Sequence, residues 1–191
     1  MSITTPKPVS KPRISEAVGY GRSEMEPGRD AWDLVQRVWL EEPGQIILPV
    51  DPFTISRKLG IEVWADDNLA PEVAGILRKE ADFKNPAIFL NDIDPHERRR
   101  FTCAHALGHY SRNVEIGRGG VWEIVEGRDF FGAELRDVEE TYATEFAAEM
   151  LMPRAVLVEI SDSPTVASLA AIFGVTGDVM RFRLDQIGWS R

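Results

Sequence analysis

Phe101 to Tyr110 reads FTCAHALGHY and sets His105 and His109 four residues apart. Residues at i and i+4 share one helix face, a turn apart, so both imidazoles can reach a single ion. Gly108 sits between them. A mid-helix glycine costs about 1 kcal/mol relative to alanine, so it points to the backbone of another element packed close by. Asp94-Pro95 opens this helix and "NPAIFLND", from Asn85 to Asp92, reads as the strand before it.

Two histidines do not complete a catalytic zinc site, which takes a third protein ligand and keeps a fourth position open. The chain has three histidines, and His96 lies nine residues before His105, too far along the helix to share the ion. Cys103, two residues before His105, points away around the helix and reads as a small packed apolar side chain. The best third ligand lies in "EETYATEFAAEMLMP". At about 100° per residue, Glu140 shares a face with Ala143, Thr144, Ala147 and Leu151, small enough to lie against another helix. Glu139 falls beside Phe146 and Met150 and is the weaker candidate, while Glu145 and Glu149 fall on the opposite side and read as solvated. In the H-E-x-x-H pattern the glutamate after the first histidine is the general base. Here that position is Ala106, and a methyl group cannot accept a proton.

The chain has 191 residues, 43% hydrophobic and 28% charged, enough for one folded domain. Residues 1 to 28 contain four prolines and few large apolar side chains, and read as a flexible tail before a folded body over 29–191. No apolar run approaches the roughly 20 residues that span a bilayer. No apolar block follows the basic residues of the N-terminus, and a single cysteine allows no internal disulfide, so the cytoplasm is expected. Net charge is −9, and residues 30–191 carry 17 Lys/Arg against 28 Asp/Glu. Such an acidic body repels nucleic-acid backbones and anionic membranes, so neither is an expected partner.

Asp30 reads as the cap of a first helix carrying Trp32, Leu34, Val35, Val38 and Trp39. "DPFTISRKLG" is a second, with Asp51 as cap, Pro52 at the first position and Gly60 as stop. "IEVWA", "EVAGILRKE" and "NPAIFLND" are strands, the last two joined as a hairpin through "ADFK". Gly117 to Gly132 is glycine-rich and reads as irregular. A long helix follows from Leu135 to Leu151, and Pro153 opens another. "SLAAIFGVTGDVMRFRLDQIG" reads as two short helices with helix-turn-helix spacing. Residues 165–191 hold three arginines and two aspartates, too little positive charge for a DNA reader. Leu169, Ile172, Phe173, Val179, Phe182 and Leu184 are therefore expected to face the core.

"RRRFTCAHALGHY" resembles the active-site helix of the ImmA/IrrE family of metallopeptidases, typically R-F-T-x-A-H-E-L-G-H, and "ETYATEFAAEMLMP" resembles its second motif, E-x-x-A-N-x-F-A-x-x-L-L-M-P. The likeness covers about residues 30 to 188. It implies an α+β, zincin-like metallopeptidase domain, with a small, mainly antiparallel sheet packed on the active-site helix. It implies one zinc ion, with manganese as the alternative, held by His105, His109 and Glu140. It makes Ala87, Ile88, Phe89 and Leu90 the edge along which a substrate chain would lie. Thr144 replaces the family's Asn beside the site, and Ala106 replaces the catalytic Glu.

The family implies selective cleavage of a protein partner, usually a helix-turn-helix repressor. With Ala106, the chain reads as a zinc endopeptidase in a form lacking its general base. The preferred explanation is an introduced substitution that traps an uncleaved complex. The alternative is a natural pseudopeptidase serving as a zinc-stabilised binding module, and the third is a DNA-binding regulator. Ala106→Glu is expected to restore cleavage.

Overall fold

The computed structural model describes residues 26–40, 45–115, 117–128, 138–160 and 164–189. The expected tail falls outside them up to residue 25, and the first helix, α1 (Pro27–Val38), begins inside its expected boundary. Asp30 lies in the first turn of α1 rather than capping it. Asp51 does cap α2 (Pro52–Lys58), accepting a hydrogen bond from the Phe53 N–H at 3.1 Å.

Strands β1 (Glu62–Asp66), β2 (Val73–Lys79) and β3 (Ala87–Asn91) match the expected segments. A fourth, β4 (Trp122–Gly127), lies in the stretch read as irregular. The sheet order is β1-β3-β2-β4. The β2–β3 and β2–β4 pairs are antiparallel, while β1 runs parallel to β3. The expectation that Ala87–Leu90 forms a free edge is therefore corrected. β3 is an inner strand, its main chain hydrogen-bonded to neighbours on both sides. The outer strands are β1 and β4.

Helix α3 (His96–Glu115) packs on β2 and β3 and on α4 (Val138–Leu151), which in turn packs on α1. Residues 135–137 of the expected long helix lie outside the described residues. Leu77, Ile88, Leu107, Phe146, Met150 and Leu151 are all fully buried where these layers meet. Arg100 ties α3 to the loops beneath, donating to Val50 O at 2.6 Å and to Gly174 O at 2.8 Å. The short α5 (Arg154–Leu157) leads to α6 (Val166–Phe173) and α7 (Gly177–Gln186), which close the core from below.

Leu169, Phe173, Val179 and Leu184 are buried and Phe182 packs partly against the core, as expected of packing helices. Ile172 departs from that expectation at 38% exposure. Arg181 is exposed and paired with Asp178 at 2.6 Å, whereas Arg183 is buried.

At Gly108 α3 and α4 lie in close contact. A Cβ there would stand 2.8 Å from Ala143 Cα, 3.1 Å from Ala143 O and 3.2 Å from Phe146 Cβ. Backbone cannot swing aside as a side-chain tip can. Gly108→Ala should therefore push the helices apart despite alanine's better helix propensity, at a net cost of ~1–3 kcal/mol. A thermal melt of the full chain checks this, and an unchanged midpoint would show the two helices free to separate.

Candidate metal centre

The contact at Gly108 sets the site. By lying so close, α4 brings Glu140 over the His105–His109 face of α3. Glu140 Oε2 is 3.3 Å from His105 Nε2 and Glu140 Oε1 is 3.3 Å from His109 Nε2. The two Nε2 atoms are 3.1 Å apart. Both histidines are buried, while the Glu140 side chain is 40% exposed, so the site opens to solvent on the α4 side. Thr144, one turn along α4, has its Oγ1 3.4 Å from His105 Nδ1. A neutral His105 presenting Nε2 to an ion carries its proton on Nδ1 and can donate it to that hydroxyl, which fixes the ring.

A fourth side chain, absent from the expected set, completes the cluster. Glu126 on β4 is 2% exposed, with Oε2 3.1 Å from His105 Nε2 and Oε1 3.7 Å from His109 Nε2. One donor atom from each of His105, His109, Glu126 and Glu140 lies within 4.8 Å of all the others. Strand alternation aims Glu126 inward, on the side of Trp122 and Ile124. An irregularity in β2 between Val73 and Gly75 faces the Glu126–Gly127 step, and such bulges redirect side chains. Beyond the strand, Arg128 pairs with buried Asp94 and its carbonyl accepts from Arg98, which ties this end of β4 to the start of α3.

The remaining candidates lie elsewhere. Ala106 is fully buried. Cys103 is buried 3.6 Å from Ser56 Oγ, and burial pushes its thiol up to about 12, so it stays protonated as a packing group. The His96 ring packs against Phe53. Glu139 is exposed and outside the cluster. Ala87 and Phe89 line a groove with Trp64, Phe83 and Arg78 on the outer face of the sheet, opposite buried Ile88 and Leu90.

The electrostatics of the cluster suit a cation. Burial opposes charging of His105, but the Glu126 and Glu140 carboxylates outweigh it and raise the group to about 9. Hydrogen bonds from His105 and His109 hold Glu140 well below the usual carboxylate range, against its partial burial. Glu126 Oε1 is buried with no hydrogen-bond donor among the described residues. Four ligands at ~2.0–2.1 Å around a tetrahedral zinc stand ~3.3 Å apart, close to the 3.1 and 3.3 Å separations among His105, His109 and Glu140. Two imidazoles with carboxylates suit zinc, with manganese as the harder alternative.

Without metal, His105 is protonated at neutral pH, and an ion must displace that proton. Zinc uptake near pH 7.5 should release about one proton, and apparent affinity should rise with pH until about 9. The sign for the metal-free fold is opposite. Its stabilisation from charged His105 is complete below about 6.5 and lost as pH rises through about 9. Titration calorimetry in buffers of different ionisation enthalpy measures the released proton, and zero release at pH 7.5 would contradict a charged His105.

A helix bearing H-x-x-x-H, a glutamate from a second helix and a small sheet above them define a zincin-like metallopeptidase domain. The sequence matches the IrrE N-terminal-like domain family, Peptidase_M78, over residues 57–185, and the chain belongs to that family. A comparison with curated proteins gives no match. Among the described residues, no helix is long and apolar enough to cross a membrane.

Proposed function

We propose that this chain is a zinc-dependent endopeptidase domain directed at a regulatory protein, with a helix-turn-helix repressor as the partner class, and that its hydrolytic step is arrested. One observation carries this: His105, His109 and Glu140 converge as a ligand set while the residue beside them on α3 is Ala106. A metal held there by these three ligands alone, with its fourth corner open, would polarise a substrate carbonyl. With Ala106, no side chain at that position can take a proton from the attacking water. β4, the outer strand that carries Glu126, has one main-chain edge unpaired among the described residues and would offer it to an extended segment, in place of the inner strand β3.

A second reading, a metal-stabilised binding module, is favoured by the extra carboxylate of Glu126 in the cluster. Under both readings the zinc-loaded chain should hold its partner intact. Immobilised protein, with and without chelator, should retain purified candidate repressors only when metal is present. Equal retention after metal removal would sink both.

A further inference from the structure

We propose that Glu126 is a fourth protein ligand, so that the metal centre of this chain is closed by two histidines and two glutamates. This rests on the metal site proposed above and goes beyond the three ligands that the family motif supplies.

Distance separates a ligand from a base. A general base stands one hydrogen bond, about 2.6–3.2 Å, beyond whatever fills the fourth corner. Its oxygen would then lie roughly 4–5 Å from the ligating nitrogens of a tetrahedral site. Glu126 Oε2 is 3.1 Å from His105 Nε2, closer than Glu140 is to the same atom at 3.3 Å. The other oxygen, Glu126 Oε1, is 3.7 Å from His109 Nε2, also shorter than that distance. Glu126 therefore stands at the corner itself.

Burial points the same way. The Glu126 side chain is 1% exposed, and among the described residues Oε1 has no hydrogen-bond donor. Taking a carboxylate out of water without full compensation is costly, and a divalent ion supplies the missing partner. The end of β4 just after Glu126 is also held from outside the cluster, through Arg128 on Asp94 and Arg98 on the Arg128 carbonyl. A strand fixed in this way delivers a ligand reproducibly. Ala106 fits the same picture, because a closed sphere leaves no open corner for the chemistry a base would serve.

Cobalt(II) substitution of the full chain tests this by visible absorption, with the zinc dissociation constant measured by chelator competition. The wild-type cobalt spectrum should be four-coordinate and unmoved by added azide. Glu126→Ala should open a corner, giving a spectrum that azide shifts. Its zinc affinity should fall by at least the 10–100-fold seen when an outer-shell partner is removed. Glu126→Gln keeps the shape and should give the same spectral change, and circular dichroism on both variants confirms the fold. An azide-sensitive wild-type spectrum, with affinity unchanged in both variants, would overturn the fourth ligand and leave the three-ligand centre standing. Absence of any cobalt spectrum from the wild type would sink the metal centre itself, and the fourth ligand with it.

Discussion

Glu149→Ala should destabilise the chain by ~3–5 kcal/mol, the usual consequence of leaving a buried charge without its partner. Glu149 on α4 and Arg183 on α7 form an ion pair with side chains only 4% and 5% exposed. Arg183 also donates Nε to Met152 O at 3.0 Å and Nη1 to Gln186 Oε1 at 2.6 Å. Glu149 Oε1 accepts the Arg154 N–H at 3.1 Å, at the start of α5. Alanine removes one charge and strands a guanidinium, while the carbonyl and amide around it cannot neutralise it. Against a total of about 5–15 kcal/mol for an ordinary domain, that loss is large. Glu149→Met with Arg183→Met should recover most of it, because removing both charges removes the desolvation cost. Urea midpoints of wild type, single and double variants measure the coupling. A single-variant loss below about 1 kcal/mol would mean that water reaches the pair.

Helical periodicity alone assigns Glu149 to a solvated face, and that expectation is wrong. From Tyr142 to Leu151 every residue of α4 except Glu145 is buried, because α3 and α1 pack on it and Arg183 of α7 closes over Glu149. A wheel shows which residues share a face but not how many faces are covered. The same limit hid the strand order. The three strand segments could be read from local pattern, but placing β1 beside β3 depends on a crossover that no local pattern encodes.

The convergence of His105, His109 and Glu140 was legible for the converse reason. His105 and His109 are fixed by one helix, and Gly108 with Ala143 records the approach of the second helix as missing side-chain volume. Glu126 left a fainter trace. Gly119, Gly120 and Gly127 around β4 read as loop, and the strand owes its existence to pairing with β2. Alternation nevertheless groups Glu126 with Trp122 and Ile124, and a carboxylate on an otherwise apolar strand face is a signal that something must neutralise it.

Glu126 alters the result expected at position 106. Ala106→Glu alone should give little hydrolysis, while Ala106→Glu combined with Glu126→Ala should cleave the bound partner. Position 106 lies about 100° around α3 from His105 and about 60° from His109, so a glutamate there reaches the same region. Ala106 is fully buried, and a carboxylate added beside Glu126 and Glu140 would meet two like charges. The single variant therefore has a base but no open corner and an added repulsion. The double variant exchanges one carboxylate for another, keeps the net charge of the cluster, and retains His105, His109 and Glu140. Its new glutamate can take a proton from the attacking water and deliver it to the leaving amine, a contribution of about 10²–10⁴-fold. Turnover in the double variant should exceed that of wild type and of the Glu126→Ala control by about this factor, and a further His105→Ala change should abolish it. Mass spectrometry of the retained repressor and of a denatured peptide library reads the cuts. A double variant that binds zinc and partner yet cuts neither would remove the peptidase reading and leave the binding module. Cutting by the single variant at the rate of the double would show that Glu126 does not close the site.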